Sequence, residues 1–531
     1  MTDLLAYSAV AAYGLTLALL LPFAGHRLHL WALSRRPAPP LQRQRWRGEL
    51  PAVTVQLPVY NEKHVIERLI DAAARLEYPR HRLEIQVLDD STDETRTLAS
   101  VRVAHWRSQG ILIQHVHRTR RVGYKAGALA AGMARARGEF LLVLDADFVP
   151  QPELLHRLLL PFQDPGVGMV QARWDHLNEY DSWLTRAQAV LLDGHFSFEQ
   201  GGRFRGGRFF NFNGTAGMWR KAALEEAGGW QFDTLTEDLD VSYRAQLQGW
   251  RFAYLGDVGV PAELPGTLES FLTQQRRWAQ GGIQTARKVL PSVFRAGLPA
   301  RVKWEAFVHL CGHLAHPLTL FLGLLVLPAA AARRHLGLDA LWWLDLALFT
   351  LATGPFIWFY WHAARTRAHR DPFRRSLQTI ALGVGLSLFL TRSVLRGVGS
   401  ARDPFLRTPK RGGRRREQMG CSHGSASDYE TSGWTAAAVS GVALGVLLGI
   451  EALFALGTGL WASAPFIGLF AFGFLRLGLS GSPSHQPTPG LSRQEQPSRE
   501  PDHKRGPTGL WPRSRSQVVA KSPIAEEYEP A

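Results

Sequence analysis

Apolar positions along this chain fall into two groups. Near-continuous blocks occupy Leu4 to Ala24 and four stretches beyond residue 300, namely 304–328, 341–362, 434–457 and 461–479. Each is close to the run of about 20 apolar residues that a helix needs to cross a bilayer. Between them, from residue 52, apolar and polar positions alternate in short runs. VTVQL (53–57), LEIQVL (83–88), ILIQHV (111–116) and FLLVL (140–144) are expected strands, and 63–75, 93–107 and 124–137 carry a helical period. Strand–helix alternation at that spacing predicts a parallel sheet with helices on both faces. Ligands in such sheets bind beyond the carboxyl ends of the strands. The ends here carry Pro58-Val59-Tyr60-Asn61-Glu62, Asp89-Asp90 and Asp145-Ala146-Asp147. The rest of this region, about 167–300, holds a Gly-rich aromatic stretch (Gly201 to Gly217), an acidic helix start and an amphipathic segment, 268–300, expected at a membrane surface.

Charge orients these blocks. The 531 residues carry a formal net charge of +16, with the excess in arginine-rich loops beside the apolar blocks and in the tail. Six arginines and a Pro-rich turn in 25–50 mark a cytoplasmic linker by the positive-inside rule. A further apolar stretch, 377–396, is interrupted by Gly383 and Gly385 and ends on Arg392 and Arg396. Taken as an interfacial helix, it keeps the five arginines of 363–376 and the seven Lys/Arg of 401–416 on the cytoplasmic side. The expectation is then five spans, with the first an uncleaved anchor. The domains are an N-terminal helix and linker (1–50), a cytosolic catalytic domain (51–300), a helical membrane region (301–480) and a disordered tail (481–531). Basic residues are not interleaved with aromatics in a stripe, so no nucleic-acid partner is expected. Two distant cysteines, Cys311 and Cys421, make neither a disulfide framework nor a zinc site.

Asp145 and Asp147, two apart after an apolar strand, point to one side of an extended segment and offer hard oxygen ligands for Mg²⁺ or Mn²⁺; a solvated turn reads the same way. In Asp89-Asp90-Ser91-Thr92-Asp93, a carboxylate can accept from a nucleoside or cap the next helix. Thr236-Glu237-Asp238 opens a helix, where acids complement the dipole or serve as a general base. Gln274-Gln275-Arg276-Arg277-Trp278 sets a guanidinium beside an indole, suited to a diphosphate and a sugar ring, and equally to anionic lipid. Lys125 opens a helix whose amides form an anion site. His309, His313 and His316, near Cys311, are read as packing residues rather than a metal site, because no acidic partner is in sight.

In this order the segments resemble the processive family 2 glycosyltransferases of the cellulose synthase superfamily, whose signature is Asp, D-x-D, T-E-D and Q-x-x-R-W. The matching residues are Asp90, Asp145/Asp147, Thr236-Glu237-Asp238 and Gln274…Arg277-Trp278. QLPVYNE, NFNGTAGMWR and DTLTEDLDVSYRAQLQGW are most similar to the mannan and glucomannan synthase branch. The resemblance implies an α/β GT-A (Rossmann-like) catalytic domain plus an α-helical transmembrane region, and an inverting hexosyltransferase. Tyr60, Glu62 and Asp90 would contact the nucleoside, and Asp145 and Asp147 would hold Mg²⁺ or Mn²⁺. Lys125 and Arg277 would face the diphosphate. Asp238, beside Glu237, would deprotonate the acceptor, and Gln274 and Trp278 would bind it. Phe405, Thr408 and Lys410 resemble the family's gating loop, with Arg407 where cellulose synthases carry Val. Implied partners are a nucleotide-sugar donor (GDP-mannose, GDP-glucose or UDP-glucose), a growing β-1,4-linked glycan, the lipid bilayer and accessory secretion subunits. The implied location is the plasma or inner membrane of a bacterium, or the Golgi of a eukaryote. Two rival readings are a single-transfer glycolipid synthase and a non-enzymatic scaffold or channel subunit.

Overall fold

The computed structural model describes residues 2–40, 46–338, 340, 342–399, 436–460 and 463–480. They belong to the first of two contact units, Met1–Gln486; the second, Pro487–Ala531, lies outside the described residues, as does the tail expected at 481–531. The four expected strands form as β1 (Val53–Val59), β2 (Leu83–Asp89), β3 (Ile113–His117) and β4 (Phe140–Val143). Three more, β5 (Val167–His176), β6 (Gly217–Arg220) and β7 (Arg251–Ala262), extend the sheet to the order β3-β2-β1-β4-β6-β5-β7. All neighbours pair parallel except β6, which runs antiparallel to β4 and β5.

Every residue of β2 and β4, and all but one of β1, is buried, as expected for a parallel sheet covered on both faces. The buried polar residues are paired across the register. Thr54 faces Glu84 and donates to Glu84 Oε2 at 2.7 Å, and Gln56 faces Gln86 and donates to its Oε1 at 3.1 Å. Helix Tyr124–Met133 (YKAGALAAGM) seats closely over this row, because an added Cβ on Gly132 would lie 2.6 Å from Gln56 Nε2. Its N-terminus, and with it Lys125, is thereby fixed at the carboxyl rim of the sheet.

Five described helices are long and apolar enough to cross a bilayer: Asp3–Ser34, Ala300–His335 (through a 3₁₀ turn), Trp342–Thr366, Pro372–Val398 and Ala438–Gly457. This set differs from the sequence expectation at two places. The stretch read as interfacial forms helix Pro372–Val398, buried over 67% of its apolar window. Gly385 does not break it. An added Cβ there would lie 2.7 Å from Gly473 O, so the glycine admits a neighbouring helix at backbone distance. That neighbour, Ala464–Ser480, has 17 residues, about 25 Å of helix, which is short of a hydrocarbon core of about 30 Å.

Candidate active site

Three strand ends and two helices converge at the carboxyl edge of β1, β2 and β4. The adjacent acids after β2 divide their roles. Asp89 points inward, accepts His115 Nε2 at 2.8 Å and the Ser91 amide at 2.8 Å, and has His117 at 3.6 Å. Burial pushes its carboxyl up, but the hydrogen bonds from His115 and Ser91 outweigh it and hold the group below the usual range. Asp90 sits at the rim, gripped by Arg118, whose Nε and Nη2 donate to its two oxygens at 2.7 and 2.6 Å. Arg118 Nη2 also reaches the Tyr124 carbonyl at 2.9 Å, tying β2 to the turn before Lys125. Asp93 accepts the Thr95 amide at 3.0 Å at the next helix start, so local capping falls to that acid. Tyr60 follows β1 with its ring under the Arg121 guanidinium, 3.4 Å from the centroid, and Glu62 beside it is buried.

Asp145 and Asp147 follow β4. The Asp145 amide donates to Thr215 Oγ1 at 2.8 Å, and its carboxylate receives Lys125 Nζ at 2.5 Å. Lys125 Nζ also donates to Gly214 O at 3.0 Å. Burial lowers the Lys125 ammonium, but Asp145, Glu237 and Asp238 outweigh it and hold the pKa above its ordinary value. Gly214 has φ +82°, and an added Cβ would lie 2.9 Å from Asp238 Oδ2. Only glycine serves both demands.

Asp238 lies in the first turn of helix Glu237–Leu247 and accepts the Leu239 amide at 2.8 Å. Burial first, then the Glu237 carboxylate, push its pKa up to about 7 against the pull of Lys125 and Arg277. Helix Leu268–Arg295 brings Arg277 to this point. Arg277, Gly281 and Thr285 recur every four residues on one face. An added Cβ on Gly281 would meet Thr236 at 2.7 Å, and Thr285 Oγ1 lies 3.0 Å from Thr236 Oγ1. Arg277 therefore faces Glu237, Asp145 and Asp238, which offset part of the lowering that burial imposes on it. Gln274 and Trp278, on the same helix, are half-buried. Phe405, Thr408 and Lys410 lie outside the described residues.

Several residues of the site are given no role from the sequence. Arg118, Arg121, Gly214 and Thr215 join it through partners distant in the chain. So does Asn213, held from three sides. Its amide donates to Gln171 Oε1 at 2.9 Å, its Nδ2 to His195 Nε2 at 2.8 Å, and its Oδ1 accepts from Gln200. Burial, with Arg203 and Arg27, pushes His195 down to about 3, so the ring is neutral. Its Nδ1–H then donates to Glu199 at 3.1 Å. Of the histidines read as packing residues, His309 Nδ1 meets the Tyr243 hydroxyl at 2.9 Å, and His313 and His316 stack on each other.

Residues 51–281 match the family described as Glycosyltransferase like family 2. Over these residues the chain is similar to the family 2 glycosyltransferases. It is similar to a probable glucomannan 4-β-mannosyltransferase 7 of Oryza sativa subsp. japonica, at 43% identity over 272 residues, 50% of this chain and 46% of that protein. It is also similar to glucomannan 4-β-mannosyltransferase 2 of Arabidopsis thaliana, at 46% identity over 254 residues, 47% of each. The chain thus spans about half the length of these curated relatives, whose names agree with the mannan-synthase branch that its motifs resemble. Among solved structures, a mannosyltransferase of Pyrobaculum calidifontis in complex with GDP-Man and Mn²⁺ is similar at 22% identity and a TM-score of 0.46, over 76% of this chain and all (100%) of that one. The mixed sheet with its acidic carboxyl rim has the α/β GT-A layout expected from the motifs.

Proposed function

We propose that this chain is an inverting, membrane-embedded hexosyltransferase that moves a hexose from a nucleoside diphosphate sugar to a β-1,4-linked glycan. The names of its relatives favour mannose. The observation that carries the reading is the convergence of one half-buried carboxylate, Asp238, poised near pH 7, with Lys125 and Arg277. That combination is what group transfer from a diphosphate requires: a base for the incoming hydroxyl and positive charge for the departing group.

In the proposed step the acceptor oxygen bonds to the anomeric carbon from the side opposite the diphosphate. The bond from that carbon to the phosphate oxygen breaks, and its electron pair leaves with the diphosphate. Asp238 accepts the acceptor's hydroxyl proton. Lys125 and Arg277 balance the charge on the leaving group, and the Trp278 indole supports the acceptor's terminal sugar. Asp145 and Asp147 suit a divalent cation by their chemistry. They are hard oxygen donors, and no group of three or more His, Cys, Asp or Glu side chains able to hold a metal is found among the described residues. Two protein carboxylates completed by substrate phosphates and water is the arrangement Mg²⁺ commonly takes. Such an ion, when bound, neutralises charge on the diphosphate. Five candidate spans and the arginines beside them support a multi-pass protein with its catalytic domain cytosolic.

The test is turnover in proteoliposomes offered radiolabelled GDP-mannose, GDP-glucose and UDP-glucose separately, with Mg²⁺ or Mn²⁺. An insoluble product cleaved by mannanase or cellulase is expected, and chelation should abolish it. A small organic-extractable product would instead establish the glycolipid reading.

A further inference from the structure

Beside the acids at the rim lies a cation that the proposed chemistry does not use. Arg121 sits in the turn between β3 and helix Tyr124–Met133, where Gly123 (φ +72°) and Tyr124 (φ +50°) both adopt left-handed backbone. The turn sets the guanidinium carbon over Tyr60, 3.4 Å from the ring centroid, with Tyr124 at 4.9 Å. A cation–π contact of this kind holds the guanidinium in place without using its N–H groups on an acceptor. Arg121 Nε is buried and has no acceptor, an unsatisfied donor that a ligand acceptor would relieve. Its neighbour Arg118 differs, because both its terminal nitrogens and its Nε are committed to Asp90 and to backbone carbonyls.

We propose that Arg121 reads the nucleobase of the donor and selects guanine over uracil. The site offers two unlike edges at the ends of β1, β2 and β3. One is the donor fork of Arg121; the other is the Asp90 carboxylate, whose oxygens each keep acceptor capacity after Arg118 is bound. Guanine matches both at once. Its O6 and N7 are paired acceptors for a guanidinium, and its N1–H and N2–H₂ are paired donors for a carboxylate. Uracil presents one N–H between two carbonyls, so it satisfies Asp90 but gives Arg121 a single acceptor. Because the guanidinium already covers Tyr60, the base meets Arg121 along its edge.

This inference rests on the reading of the rim as a nucleotide-sugar site, and the experiment separates the two. The full chain in detergent is titrated with GDP and with UDP, each with Mg²⁺, by calorimetry, as wild type, Arg121→Met and Arg121→Lys. The wild type should bind GDP about tenfold or more tighter than UDP. Both variants should lose about tenfold in GDP affinity, the scale of a lost bidentate base contact, with UDP affinity falling by clearly less, and least in Arg121→Lys, which keeps a donor for the single uracil acceptor. Arg121→Lys keeps the charge and the fold but not the fork, so its loss of GDP preference distinguishes base reading from charge. Equal binding of GDP and UDP by the wild type, or equal loss of both in Arg121→Lys, overturns the inference and leaves the site reading standing. Binding of neither nucleotide by the wild type overturns both.

Discussion

At the scale of single residues, the proposed mechanism turns on a carboxylate whose pKa its surroundings have moved. A general base works in its ionised form, and Asp238 is pushed up to about 7 by burial and by Glu237. Log kcat/KM for the acceptor should therefore rise with unit slope below about pH 7 and level off above it. A flat profile from pH 5 to 8 would remove Asp238 from that role. Gly214 gives a second prediction. A Gly214→Ala methyl would crowd Asp238 Oδ2 in a left-handed backbone that alanine resists. We expect turnover to fall tenfold or more in a protein that still folds, with full activity as the opposing result. Three of the four motifs were legible in the sequence because each sits at a strand end or first helical turn, where spacing alone aims it; the fourth, Gln274 to Trp278, lies within helix Leu268–Arg295 and was legible from its residue types. The grip of Arg118 on Asp90 and of Thr215 on the Asp145 amide was not, because those partners lie 28 and 70 residues apart and no local period joins them.

At the scale of elements, β1 to β4 could be read from their apolar runs, while β6 could not. Its four residues, GMWR, are too few for alternation, and pairing between β4 and β5 makes it a strand. The continuity of helix Pro372–Val398 through Gly383 and Gly385 could not be read either, because a glycine in an apolar run looks like a break until its neighbour is known. The loop entering that helix yields a stability prediction. His369 is buried and lies between two carboxylates, Asp193 Oδ2 at 2.7 Å and Glu179 Oε1 at 2.8 Å. It serves both only as an imidazolium. Burial lowers its pKa, but the two acids outweigh that and raise it to about 9, while burial on Asp193 is outweighed by His176 and His369, leaving that acid at about 2. A raised base stabilises fully below its unfolded value of about 6.5 and loses that contribution as pH rises through about 9. His369→Gln should therefore destabilise by on the order of 2 kcal/mol at pH 6, seen as a lower Tm. The gap from wild type should close by pH 9.5, and a gap independent of pH would contradict the assignment.

At the scale of the whole molecule, the long helix Leu268–Arg295 joins the catalytic rim to the apolar helices. One face carries Arg277 to the acids of the rim, and beside it helix Pro372–Val398 packs closely, since an added Cβ on Gly397 would lie 2.7 Å from Gln280 O. The residue proposed to face the diphosphate and the contact with a long apolar helix are thus carried by one element, so under the proposed function a glycan leaving Trp278 would start beside that helix. Hexose transfer with Asp238 as base is put to the proof by glycan synthesis from wild type and Asp238→Asn in the same proteoliposomes, with donor binding measured alongside. We expect polymer from the wild type, a loss of about 100-fold or more in the variant, and nucleotide affinity kept within about twofold. Polymer made by Asp238→Asn at the wild-type rate would contradict that role for the carboxylate and the mechanism built on it.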